Sequence, residues 1–381
     1  MSKTEQLLGL DALLTPEQRA WQAKAREVAS AIQLTIDDDF ETNTFRREYV
    51  GALGAAGMLG MHITGYGCAG ADAASYGLVC YELEAVDTAW RTFVSVQGSL
   101  AMSAIAKFGS EDQKTHWLPR MASGEVLGCF GLTEPTGGSD PASMTTSAVQ
   151  DGDGWVITGS KRWIGLASIA DVAIIWARTE GGIRGFLVDT TSQGFSAVDI
   201  TNKLSLRASI QCDVQLDGVR GELLEGAQGL SAPFSCLNEA RYGIVWGVMG
   251  AARASLDAAV ERSTTREVFG GPIGAKQLVQ ARLADSFVEY QKGMLLALHL
   301  GGLKDAGTLA PAQVSVGKLN NVREAIAICH AAREILGGDG VTTEFSVMRH
   351  LANLEAVRTY EGTDDIHTLV IGRALTGLGA F

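Results

Sequence analysis

The chain has 381 residues, 46% hydrophobic and 19% charged, which supplies core for two or three domains and argues against disorder. Its net charge of −12 excludes a surface built to meet nucleic acid or an anionic membrane, while leaving room for a local basic pocket. Six scattered cysteines form no CxxC pair and six histidines show no HExxH spacing, so no metal is assigned.

The opening MSKTEQLLGLDALL lacks a basic segment followed by a long apolar run, so it is not read as a signal peptide. No window reaches the length of a membrane span, and the unpaired cysteines suit reduced thiols. These features predict a cytoplasmic protein.

The first predicted helix starts at Thr15-Pro16-Glu17-Gln18, an N-cap with proline at the first helical position and Gln18 closing a capping box. Trp21, Ala25, Val28 and Ile32 then recur at helical spacing. Helical patterning continues to about Arg120, broken by the glycine-rich MLGMHITGYGCAGADAASYG. The middle changes character. DGDGWVITGSKRWIG places a turn before alternating apolar residues, and DVAIIWARTEGGIRGFLVD reads as two strands around Gly181-Gly182. GFSAVDI and QCDVQLDGV extend this signal, which predicts an antiparallel sheet over about 126–230. Helices resume over 233–264, 275–304 and 312–336, separated by FGGPIG and KDAGTLAP. Helices, then strands, then helices oppose a doubly wound fold, in which the two alternate.

Several stretches carry candidate chemistry. In TYEGTDDIHTLVIGRALTG, Glu361 stands between Tyr360 and Gly362, directly before a helical run. Such a carboxylate either caps the helix or pairs with an arginine, or it is a base held in place and partly desolvated. His367 reads as a packing residue of that helix. LGGDG at 336–340 follows a helix instead of a strand, so it reads as a C-cap and turn and not a dinucleotide fingerprint. VSVGKLNN lacks the spacing of a phosphate loop. Ser139 in TGGSD is not in a nucleophile elbow, and the stretch reads as a turn whose amides and hydroxyls suit an anion.

CFGLTEPTGGSDPASM, GSKRWIG, ARYGI, REVFGGPIGAKQL, EILGGDGV and TYEGTDDIH, in this order, resemble the acyl-CoA dehydrogenases across nearly the whole chain. ELEAVDTAWRTFVSVQGSL, LKDAGTLAP, MRHLANLEAVRTYEGT and IGRALTGLGAF bring the resemblance nearest to the glutaryl-CoA dehydrogenase type. The resemblance implies an α+β fold with an N-terminal helical domain (1–125), a middle antiparallel β domain (126–232) and a C-terminal helical bundle (233–381). It also implies a homotetramer that binds FAD and passes electrons to an acceptor such as electron-transfer flavoprotein.

Residue by residue, the family's base falls on Glu361. Another branch places its base where this chain has Ala240. FAD would lie along Phe130, Leu132, Thr133 and Ser139 and near Trp163, Ile164 and Gly165. A neighbouring subunit would add Arg266, Phe269, Gln277, Glu334, Ile335, Leu336, Gly337 and Gly338, with Thr363 and Asp365 near the base. The acyl-CoA side would include Ser139, Phe234, Asn238, Arg241, Tyr360 and Gly362, with the amide of Glu361 on the thioester oxygen. Glu84, Arg91, Thr92 and Ser95 match positions that face the distal end of the acyl chain in the glutaryl type. Arg91 suits a terminal carboxylate, or it pairs with Glu84 seven residues earlier on the same helical face.

The implied activity is FAD-dependent dehydrogenation of an acyl thioester to an α,β-enoyl thioester, with decarboxylation an open outcome for a glutaryl chain. One departure stands out: the family commonly has Thr-Asn after Trp-Ile, whereas KRWIGLAS places Gly165-Leu166 there. That loss of a hydroxyl motivates a rival reading, a biosynthetic relative acting on an acyl-carrier-protein thioester. A third reading is a non-catalytic flavoprotein.

Overall fold

A computed structural model describes residues 3–152 and 154–380 of the chain. The N-terminal region holds helices α1 (Pro16–Gln33), α2 (Ile36–Thr42), α3 (Glu48–Ala55), α4 (Ala73–Val86), α5 (Thr88–Val94), α6 (Ser103–Phe108) and α7 (Glu111–Ala122). The predicted capping box at Thr15 forms, with Gln18 N–H on the Thr15 hydroxyl and the Gln18 side chain on the Thr15 N–H. Between α5 and α6 lies a π-helical segment, Ser95–Met102, every residue of which is buried. Its Gln97 amide donates to Met121 O (3.1 Å) and Val126 O (2.8 Å) and accepts from Gly128 N–H (2.8 Å). One buried side chain thus fastens this segment to the sheet.

The strands are β1 (Gly128–Gly131), β2 (Ser147–Asp151), β3 (Gly154–Gly165), β4 (Val172–Thr179), β5 (Gly182–Asp189), β6 (Phe195–Asp199) and β7 (Gln211–Gln228). Their order is β1-β4-β2-β3-β7-β5, with β6 on β7 and a further β4–β5 pairing. That pairing closes the sheet around Ile157, Ile164, Ile175, Phe186, Val188, Val214 and Leu216. The sheet is antiparallel except where β4 meets β1, and at one residue pair β2, in parallel. The expectation of a purely antiparallel sheet is corrected there, because β1 reaches its partner through a long crossover that includes β2 and β3. At the expected hairpin, Thr179 pairs with Gly182 across Glu180-Gly181, and Gly182 takes φ 103.

The C-terminal helices are α8 (Ser231–Thr265), α9 (Gln277–Asp305), α10 (Pro311–Leu336), α11 (Val347–Thr359) and α12 (Asp364–Thr376). The first three match the predicted spans within two residues. LGGDG is the expected cap and turn: Gly337 ends α10 at φ 67 and a short 3₁₀ turn follows. The first and last helical regions share one hydrophobic core, in which α4 packs on α8. Glycines permit that approach. A Cβ at Gly77 of α4 would strike the Trp246 ring, and one at Gly250 of α8 would strike the Tyr81 carbonyl. Each interior helical glycine costs about 1 kcal/mol relative to alanine, so these positions spend helix propensity on proximity.

Candidate active site

The site is assembled by the α5–π segment, the turn between α11 and α12, one face each of α8 and α10, and the bulged end of β3. Glu361 occupies the turn in a left-handed backbone conformation, φ 55, followed by Gly362 at φ 97. At Gly362 a Cβ would stand 2.9 Å from His367 Nε2, so only glycine fits. Three consecutive carbonyls of the turn meet buried or half-buried cations. Lys318 Nζ donates to Tyr360 O and Gly362 O, both at 2.6 Å, and Arg241 Nε donates to Glu361 O at 2.7 Å. These charge-assisted bonds hold a conformation that a glutamate does not favour.

The carboxylate itself is left free. Glu361 Oε2 is buried without a hydrogen-bond partner. Burial pushes the Glu361 carboxyl above the usual carboxylate range, and Arg91, Lys318 and Arg241 oppose that rise without cancelling it. Burial also pulls Lys318 down to about 7, against the attraction of Glu361. His367 is buried, its Nδ1 2.9 Å from Ser315 Oγ; burial first, then the Lys318 and Arg241 charges, hold it near 3, so it is neutral. The packing role read for His367 stands.

Arg91 is wholly buried. Its Nε donates to Glu84 Oε2 at 2.6 Å, and its Nη2 donates to the Tyr360 hydroxyl. The other Glu84 oxygen accepts from Thr88 Oγ1 at 3.0 Å. Each Glu84 oxygen thus accepts a hydrogen bond within the protein, which makes Glu84 a brace for Arg91. Arg91 Nη1 and the nearby Ser95 Oγ are buried with no partner. Thr92 Oγ1 lies 3.3 Å from the Tyr360 hydroxyl, joining this cluster to the Glu361 turn. Ion pair and open donor coexist in one guanidinium.

One helical turn beyond Thr92, Val96 reaches β3: a Cβ at Gly165 would stand 3.2 Å from Val96 Cγ2. Val96 thus fills space that a side chain at 165 would need, a packing reason for the departure at Gly165. Leu166, at φ 68, is buried. Just before them the β3–β7 register slips between Lys161 and Ile164, which turns Trp163 outward at φ 63 and leaves it 52% exposed. Arg162 braces Trp163, its guanidinium 5.1 Å from the ring centroid and its Nη1 donating to both Asp213 oxygens at 2.8 and 3.0 Å.

Arg162 N–H donates to Thr133 O at 2.9 Å, bringing the loop after β1 beside Trp163. Buried Glu134 fixes that loop by accepting from Thr145 N–H (2.7 Å), Thr146 N–H (2.9 Å) and Lys161 Nζ (2.9 Å). Burial opposes the Glu134 charge, yet these hydrogen bonds and Lys161 hold its pKa near 2. Burial draws Lys161 down to about 8, still protonated at neutral pH. An outward aromatic shelf beside the Thr133 backbone and the edge strand β1 suits a planar ring system with a polar chain, so these residues fit FAD. Phe130 and Leu132 are buried, with Phe130 packed on Trp176, and they offer backbone to that edge.

The remaining expected residues are dispersed. Thr363 caps α12, accepting from Ile366 N–H at 3.3 Å, and Asp365 is exposed. Asn238 accepts from Arg241 at 3.3 Å; Phe234 is at the surface one turn earlier, and Ser139 is exposed on its loop. Arg266, Phe269, Gln277, Glu334, Gly337 and Gly338 are exposed, while Ile335 and Leu336 face the core. Along α10, Glu334 stands about 24 Å from Lys318 at the usual helical rise, so this group does not join the Glu361 turn in one chain.

Lys318 lies in VSVGKLNN, whose spacing is not that of a phosphate loop, so no motif marks it. A signal was present: Val314, Lys318 and Val322 share one buried helical stripe, and a lysine inside such a stripe needs a buried partner. The Glu134–Lys161 pair had no comparable local signal.

Among the described residues no helix is long and apolar enough to cross a membrane, and no group of three or more His, Cys, Asp or Glu could hold a metal ion. Family profiles described as acyl-CoA dehydrogenase N-terminal, middle and C-terminal domain match residues 15–125, 129–219 and 227–376. A glutaryl-CoA dehydrogenase structure from Mycobacterium smegmatis is 55% identical over the whole of both chains, with a TM-score of 0.98. Another from that organism, in complex with FADH2, is 52% identical with the same full coverage and a TM-score of 0.98. The human mitochondrial short-chain specific acyl-CoA dehydrogenase is 33% identical over 340 residues, 86% of this chain and 82% of its own.

Proposed function

The chain belongs to the acyl-CoA dehydrogenase family, and from that premise we propose that it oxidises an acyl-CoA bearing a terminal carboxylate, with glutaryl-CoA the best fit and Glu361 the base. FAD-dependent acyl-CoA dehydrogenation is the activity; the substrate and the residue roles are the reading offered here. The carrier-protein and non-catalytic readings are not favoured, since the relatives are acyl-CoA dehydrogenases and Val96 accounts for Gly165 by packing.

One observation carries the substrate reading. Arg91 keeps Nη1 without a partner in the same buried cluster where Glu361 keeps Oε2 without one. A buried donor and a buried acceptor, each unpaired, call for a ligand that supplies both an anion and an acidic hydrogen. Glu361 would remove the α-proton of the thioester, its raised pKa matching it to a weak carbon acid better than a solvated carboxylate would. The Glu361 N–H, on the peptide whose carbonyl Lys318 holds, would donate to the thioester oxygen as negative charge develops there. Arg91 and Ser95 would receive the distal carboxylate and so fix which carbon faces Glu361. When bound, FAD supplies the acceptor for the β-hydrogen and its electron pair.

Thr133, Trp163 and the β1 edge would hold FAD in one subunit, with Arg266, Phe269, Gln277 and 334–338 reaching it from a neighbour. Phe269 is 94% exposed and Leu278 74%, apolar surface that a homotetramer would cover. A cytoplasmic location and electron-transfer flavoprotein as electron acceptor belong to the same reading. The test mixes the FAD-loaded protein anaerobically with glutaryl-CoA or butyryl-CoA and follows loss of flavin absorbance. Faster bleaching by glutaryl-CoA at matched concentration is expected; preference for butyryl-CoA removes Arg91 from substrate selection.

A further inference from the structure

Helix α8 passes directly behind the Glu84–Arg91 pair, and at the crossing it carries Gly247. A Cβ built there would collide with Glu84 Oε2, the oxygen that accepts from Arg91 Nε. It would also stand 3.0 Å from Arg91 Cγ and 3.1 Å from Glu84 Cδ. The φ of Gly247 is ordinary helix, so the backbone does not require glycine at this position; the space does. The other glycines of this face make different contacts, Gly243 with Tyr76 and Cys80 and Gly250 with the Tyr81 carbonyl. Only Gly247 opens onto the ion pair.

We infer that Gly247 is a specificity-determining position: its missing side chain is the slot in which Glu84 turns its carboxylate onto Arg91 and thereby aims the unpartnered Nη1 at a terminal carboxylate. This deepens the dicarboxylyl reading above and rests on it. Glu84 cannot keep both contacts once the slot is filled. Its carboxyl must withdraw, Arg91 loses the acceptor that sets its rotamer, and the open nitrogen no longer holds one direction. Gly247 touches neither thioester nor base, so its effect falls on the distal end of the acyl chain. It acts as a positioning residue through Glu84.

The experiment measures kcat/KM for glutaryl-CoA and butyryl-CoA in the FAD-loaded parent, Gly247→Ala, Glu84→Ala and the double variant. Gly247→Ala is expected to lower the glutaryl-to-butyryl ratio more than tenfold, mostly through KM for glutaryl-CoA, with butyryl-CoA use within about threefold of the parent. In the Glu84→Ala background the collision with Oε2 is gone and only the tight approach to Arg91 Cγ remains, so adding Gly247→Ala should change the ratio less than twofold. If Gly247→Ala fails to fold, the double variant should still fold and match Glu84→Ala; a double variant that also fails overturns the inference. An unchanged ratio in Gly247→Ala, or equal loss for both substrates, overturns it too while leaving a glutaryl-preferring parent intact. A parent with no glutaryl preference retires the dicarboxylyl reading and this inference together.

Discussion

Two of the buried ion pairs among the described residues are built to opposite ends. Glu134–Lys161 in the sheet is closed: the carboxylate accepts from two backbone amides, a hydroxyl and the ammonium, and the ammonium also donates to Leu132 O. Glu84–Arg91 between the helices is open: the acid is fully used, but the guanidinium retains an unpartnered nitrogen beside an unpartnered Glu361 oxygen. Removing charges from water is expensive in both places. The closed pair recovers that expense by fixing a loop. The open pair leaves part of it unrecovered until a ligand arrives. Burial alone does not separate these two pairs; the unsatisfied remainder does.

The largest expected effect tests the open side. Glu361→Gln is isosteric and cannot take a proton, so flavin reduction by substrate should fall about 10²–10⁴-fold while bound FAD is retained. A parental rate in single-turnover absorbance would take Glu361 out of the chemistry.

Next, the two pairs should fail differently. Lys161→Met leaves Glu134 buried and charged, with an expected loss of about 3–5 kcal/mol in denaturant unfolding and looser flavin retention. Arg91→Met should cost less stability, because burial raises the pKa of Glu84 and loss of the Arg91 charge lets it rise further, so the acid can take up a proton instead of staying charged and alone. It should instead lower glutaryl-CoA use relative to butyryl-CoA well over tenfold, the scale of about 2–5 kcal/mol for a desolvated charge pair. If Arg91→Met destabilises as much as Lys161→Met and leaves the substrate ratio alone, the contrast between the pairs is wrong.

The smallest effects are in pH. Glu134 has its folded pKa depressed from 4.5 to about 2, so its stabilisation is present above the unfolded value and lost as pH falls through 4 toward 2. Glu361 runs the other way. Its raised pKa means the active, ionised form appears as pH climbs past the ordinary carboxylate range. Lys318 opposes that rise, so Lys318→Met should move the acid limb of kcat to higher pH; a limb that stays or moves down would detach Lys318 from Glu361.

Helical spans and the order of regions were readable in the sequence because apolar spacing and breakers such as FGGPIG are local signals. The π-helical Ser95–Met102 was not, since a segment buried on every side has no polar face to give a period. Glu361 was conspicuous through its neighbours Tyr360 and Gly362. What surrounds it was less so: Lys318 and Arg241 arrive from α10 and α8, and contacts across such separations leave no spacing to read. The parallel β1–β4 pairing hid for the same reason, being set by a crossover and not by either strand's pattern.

The left-handed backbone at Glu361 sets persistence against turnover at a single position. Glycine or asparagine would relax that turn and remove a buried charge in one step. These two substitutions, which silence Glu361, should therefore leave a sturdier molecule, and only selection for the reaction itself keeps a glutamate there.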